Sequence, residues 1–145
     1  EHAPSRRLLE AVLAGEEARE RGNAAFGRRD WGLAEDLYTA ALAEDSERLD
    51  GAFAAALFCN RAAARRRQGR TAAALEDAEL ALKLTPSAPR GLYQRGACLM
   101  ELGRYAEALS DFEQLSAEAP GLEGLGEWLE SARRLARRPP PGPQP

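Results

Sequence analysis

One template recurs three times along this chain, and it limits the possible folds more tightly than any other feature. It has a small residue in one helical stretch, a turn, then an alanine and an aromatic or small residue in a second helical stretch. The first copy reads Gly22-Asn23-Ala24-Ala25-Phe26, Asp30-Trp31-Gly32-Leu33-Ala34 and Tyr38-Thr39-Ala40-Ala41-Leu42. The second runs from Asn60-Arg61-Ala62 through Gly69-Arg70-Thr71 and Ala74 to Ala81-Leu82 and Pro86. The third runs from Gly96-Ala97-Cys98 through Gly103-Arg104-Tyr105 and Ala108 to Phe112, Leu115 and Pro120. Ala108 follows Ala74 by 34 residues, and Ala74 follows Ala34 by 40, one period plus six. The surplus fits the polar stretch Glu44 to Gly51, a longer loop or an extra helical turn between repeats, where insertions cost little.

Composition says the repeated elements are helices. Ala and Leu dominate, Ile is absent, and the only valine and threonines are Val12, Thr39, Thr71 and Thr85. Strands favour β-branched and aromatic residues, whereas Ala, Leu, Glu and Arg favour helices. The fold class is therefore all-α: an α-solenoid of three helix pairs, over about 16–49, 52–86 and 87–120, with residues 16–120 forming the repeat domain. Small residues at each crossing let antiparallel helices approach closely. A single pair cannot bury its apolar face alone, so the pairs must stack.

The stack needs ends. Leu125, Trp128, Leu129, Ala132 and Leu135 recur at helical spacing, so residues 121–137 read as a capping helix. Residues 1–15, with Leu8, Leu9, Val12 and Leu13, read as an N-terminal extension or short helix that lengthens the first helix or packs beside it. The Pro-rich tail, 138–145, reads as disordered or polyproline-like. A start other than Met and this tail point to a fragment of a longer protein.

These repeats resemble tetratricopeptide (TPR) repeats, over roughly residues 16 to 120. In such a stack the first helix of each pair lines the concave face, and residues four apart on a helix point the same way. Arg19 and Asn23 thus share one direction, Asn60 occupies the next first helix, and Arg90 and Gln94 share a direction in the third. Two guanidiniums and three amides suit carboxylates.

The set is similar to the carboxylate clamp of TPR co-chaperones, which hold the C-terminal Glu-Glu-Val-Asp of the seventy- and ninety-kilodalton heat-shock chaperones. The resemblance implies that Arg19, Asn23, Asn60, Arg90 and Gln94 bind the peptide carboxylates, with Phe26, Tyr93 and Ala97 lining the groove. Four positions agree with the family pattern, counting Arg for Lys. The fifth departs, since Gln94 stands where the family has Arg. Arg95 lies beside it but about 100° further around the helix.

Competing readings stand beside these. Asn is a poor mid-helix residue, so Asn23 and Asn60 either bind a ligand or hydrogen-bond neighbouring helices. Arg65, Arg66 and Arg67 read as solvated charges at a helix end, where cations favour the dipole; Arg19, Arg21, Arg61, Arg90 and Arg95, each taken alone, also read as face charges. Trp31, Tyr38, Tyr105, Phe112 and Trp128 read as packing residues, whereas Phe26, Tyr93 and Met100 fit either the core or an apolar part of the groove. His2 has no apparent partner.

Other function classes find little support. The net charge of −3 lacks the basic excess of a nucleic-acid or membrane surface. No catalytic set, phosphate loop or metal-ligand spacing occurs, so no enzyme activity, metal or cofactor is expected. Cys59 and Cys98 read as buried free thiols, which with the lack of a membrane span favours a cytosolic or nuclear protein. The expected function is capture of a chaperone's acidic C-terminal tail. The alternative is an adaptor that binds a folded partner through the inter-repeat loop or the convex face.

Overall fold

The computed structural model describes residues 6–44 and 51–138, with the Leu8 side chain left aside. Seven helices occur among the described residues: α1 (Arg6–Gly27), α2 (Trp31–Glu44), α3 (Gly51–Arg67), α4 (Thr71–Leu84), α5 (Pro89–Glu101), α6 (Tyr105–Glu118) and α7 (Leu125–Ala136). Consecutive helices pack on each other throughout, and α1, α3 and α5 also meet along one side of the stack. The architecture is the right-handed α-solenoid of three helix pairs with a capping helix. His2, the core of the insertion and the proline tail lie outside the described residues.

The helix pairs close through one repeated turn. Arg29, Gly69 and Gly103 stand at equivalent positions and adopt φ of 64°, 80° and 78°. After each, the amide of the next residue returns to the last turn of the preceding helix: Asp30 N to Ala25 O, Arg70 N to Arg65 O and Arg104 N to Leu99 O, at 2.9, 3.0 and 2.8 Å. This left-handed closure satisfies carbonyls that a helix end leaves open. Glycine takes that conformation freely, but Arg29 carries a Cβ into it. Asp30 then caps α2, its Oδ1 accepting from Leu33 N at 3.3 Å.

Close crossings follow the template. A Cβ on Gly22 would stand 2.7 Å from Tyr38 Cε1, and one on Gly96 would stand 2.7 Å from Phe112 Cε1. The equivalent positions of the middle repeat are Ala62 and Ala78, both fully buried, where two small residues replace a glycine and a ring. Tyr38 and Phe112 are buried as expected, while Trp31 and Tyr105 are only partly covered. At the C-terminal end Trp128 stacks on Phe112 at 5.3 Å and meets Tyr93 edge-on at 6.1 Å, and Leu125 and Ala132 are buried beneath it.

The N-terminal stretch is continuous with α1 from Arg6 onward, and Leu9 and Leu13 are exposed on it. The reading of Arg65 and Arg66 as solvated charges is corrected, while Arg67 is exposed. Arg65 donates to Glu35 and Asp77 at 2.6 and 3.0 Å, and Arg66 to Glu101 at 3.1 Å. Arg67 lies over the Trp31 ring at 5.4 Å. Arg61 and Arg95 are not free face charges either. Each forks onto one aspartate, Arg61 onto Asp77 at 2.9 and 2.8 Å and Arg95 onto Asp111 at 2.8 and 2.7 Å. The two pairs are one 34-residue period apart, so the ion pair repeats with the fold.

Candidate functional site

The side of the stack where α1, α3 and α5 meet holds a cavity of about 520 Å³. Asn23 and Phe26 reach it from α1, Asn60 and Ala63 from α3, and Arg90, Tyr93 and Gln94 from α5. Tyr38, Arg66 and Arg67 complete its wall. No carboxylate among the described residues lines it, so three guanidiniums stand around one cavity in a chain of net negative charge.

A chain of hydrogen bonds orders the amides. Arg90 donates from Nη2 to Asn60 Oδ1. Asn60 donates from Nδ2 to Asn23 Oδ1 at 3.4 Å, and the Tyr38 hydroxyl donates to the same oxygen at 2.7 Å. The acceptors are thus used within the protein, while the Asn23 NH2 group has no partner among the described residues. The asparagines thus bond neighbouring helices, as one of the two readings expected. Burial raises the Tyr38 phenol despite the nearby Arg90 charge, so it stays protonated as the donor in this chain.

Arg90 has no carboxylate partner among the described residues, nor does Arg67. Arg66 is shared: Nη1 meets Glu101 at 3.1 Å, and Nε donates to Gln94 Oε1 at 3.3 Å. Gln94 is therefore turned with its carbonyl toward a cation on the neighbouring helix.

Six of the eight residues read from the sequence come together at the cavity: Asn23, Phe26, Asn60, Arg90, Tyr93 and Gln94. Arg19 does not line it. Its guanidinium lies 5.3 Å from the Phe53 ring centre, and its buried Nε has no hydrogen-bond partner. Ala97 is corrected as a lining residue, because it is fully buried in the helix packing. Tyr38, Ala63, Arg66 and Arg67 were missed. Asn60, Ala63 and Arg67 fall at positions i, i+3 and i+7 of α3, the same face rule that picked out the other pairs.

The thiols stay out of the site. Cys59 and Cys98 are buried and unpaired with each other, and burial pushes Cys98 up to about 12, far from the thiolate that chemistry requires. No helix among the described residues is long and apolar enough to cross a membrane.

Comparison with known proteins agrees with this fold. Residues 89–122 match the tetratricopeptide repeat family model. The chain is similar to serine/threonine-protein phosphatase T of Trypanosoma brucei brucei, with 31% identity over 90% of this chain and 26% of that protein. It is similar to the Hsp70-Hsp90 organizing protein of Triticum aestivum, with 34% identity over 86% of this chain and 20% of that one. It spans about a third or less of the curated relatives it matches. Among solved structures it resembles the first TPR of Spaghetti (RPAP3) bound to the HSP90 peptide SRMEEVD. The TM-score is 0.79 and the identity 25%, over 88% of this chain and 98% of that one.

Proposed function

We propose that this chain, a tetratricopeptide-repeat domain, captures an acidic C-terminal peptide in its concave groove. The ligand class is the Glu-Glu-Val-Asp tail of the ninety- or seventy-kilodalton heat-shock chaperones, and the domain acts as a binding module without chemistry of its own. The observation that carries this reading is the cavity with Arg66, Arg67 and Arg90 in its wall and no carboxylate from the described residues among them.

A carboxylate entering that cavity meets donors already oriented by the protein. Arg90 is held against Asn60, Asn60 against Asn23, and Asn23 against Tyr38, so little side-chain freedom is lost on binding. Charge-assisted hydrogen bonds are about twice as strong as neutral ones, and each contributes about 1.5–3 kcal/mol. The apolar walls from Phe26 and Tyr93 accept the aliphatic part of such a peptide. The similar domain of Spaghetti carries a peptide with this acidic ending.

The test is titration calorimetry with a peptide ending in Glu-Glu-Val-Asp. Binding is expected, weakening as salt rises, and lost by about tenfold or more in Arg90→Ala. A peptide with an amidated C-terminus that binds equally well refutes the reading.

A further inference from the structure

Position 94 poses a chemical puzzle, because it carries a neutral amide in the middle of a cationic groove. Gln94 presents its carbonyl oxygen to Arg66 Nε at 3.3 Å rather than offering a donor there. Arg95, next in sequence, is fully engaged on Asp111 at 2.8 and 2.7 Å and has turned away with it. Arg66 itself lines the cavity, its side chain only 14% exposed. Nη1 is taken by Glu101, whereas Nη2 has no partner among the described residues and is not sealed from solvent.

We infer that Arg66, held in place by Gln94, binds an acidic side chain of the captured peptide and is a specificity-determining residue of the groove. The inference rests on the peptide-binding reading above and assigns one more residue to it. A second arginine at position 94 would stand beside Arg66 as a like charge. An amide oxygen at that position instead accepts a hydrogen bond from Arg66 and steadies it. The cation therefore comes from α3, and the α5 side chain serves as its rest. Gln94 is a positioning residue here. The Glu101 carboxylate shares Arg66 from the other side, so a peptide carboxylate binds to a guanidinium whose Nε and Nη1 are already fixed.

Calorimetry on the full chain tests this. The probes are a peptide ending in Glu-Glu-Val-Asp and three versions in which a single acidic side chain is changed to its amide. Wild type should discriminate against at least one amide version by about tenfold, the worth of one charge-assisted pair. Arg66→Gln should weaken the all-acid peptide by a similar factor and erase that discrimination. Arg66→Lys keeps the charge without the fork and should retain part of it. Gln94→Ala should weaken binding in the wild-type background but not in Arg66→Gln. Circular dichroism melts confirm that each variant folds, and Arg66→Lys carries the test if Arg66→Gln does not. Arg66 variants that bind with wild-type affinity and discrimination overturn the inference while leaving the peptide-binding reading intact. Failure of wild type to bind any probe overturns both.

Discussion

Tyr38 lies flat against Gly22, with a would-be Cβ of the glycine 2.7 Å from ring atom Cε1, and the same side chain gives its hydroxyl to Asn23 at 2.7 Å. One ring thus serves both the helix crossing and the cavity. Gly22→Ala is expected to force the ring aside, at about 1–3 kcal/mol of stability, and to disconnect the Asn23 amide from its donor. Urea unfolding would read the first effect and peptide calorimetry the second. The equivalent Gly96→Ala displaces Phe112, which has no hydroxyl to donate, so it should cost stability in the same range.

Glu35 gives the domain an acid-sensitive joint between its first two repeats. Burial alone would raise its carboxyl. The hydrogen bonds from Arg65 and Gln68 and the charges of Arg70 and Arg65 outweigh that, and the net effect lowers it below the ordinary 4.5. A lowered folded value means that the stabilisation is complete above about 4.5 and is lost as pH falls through the folded value. Glu35→Gln should therefore destabilise the domain at neutral pH by about 1–3 kcal/mol. The gap to wild type should narrow as pH drops below 4.5, as followed by denaturant midpoints across a pH series.

Arg29 occupies the turn position that Gly69 and Gly103 fill in the other repeats, at φ of 64°. Arg29→Gly removes the steric cost of a left-handed side-chain-bearing residue, about 1–2 kcal/mol, partly offset by glycine's freedom in the unfolded chain. A net gain of about 0.5–1 kcal/mol is expected, visible as a higher urea midpoint with peptide affinity unchanged.

Trp128 closes the C-terminal end by stacking on Phe112 and touching Tyr93. Because it is only partly buried, Trp128→Ala should cost about 2–4 kcal/mol, less than a fully buried tryptophan. Thermal unfolding with and without peptide would measure it.

The fold was legible because its cause is local. Gly22 and Gly96 sixteen residues before Tyr38 and Phe112 announce a helix crossing from the sequence itself. Arg90 and Gln94 were legible for the same reason, since four-residue spacing fixes their common direction, whereas the same spacing from Asn23 picked out Arg19, which does not line the cavity. The arginine run was misread because its partners are distant in sequence. Glu35 lies 30 residues before Arg65, and Glu101 lies 35 after Arg66. Only the rotation of α3 against α2 and α5 decides whether those side chains face water or acid. A local signal did exist for Arg61 and Arg95, each sixteen residues before an aspartate and one period apart. Ala97 failed for a simpler reason: an inward helix face contains both groove wall and helix contact, and composition does not separate them.

The Arg61–Asp77 and Arg95–Asp111 forks have no counterpart in the first repeat, where the equivalent residues are Arg21 and Leu37. In a stack whose stability is a sum of unit terms and nearest-neighbour terms, that omission leaves the α1–α2 unit without the internal ion pair of the other two. A peptide held by Asn23 would supply the missing term from outside. Occupancy of the groove and closure of the N-terminal rung then become a single linked equilibrium, and slower amide exchange along α1 is its signature.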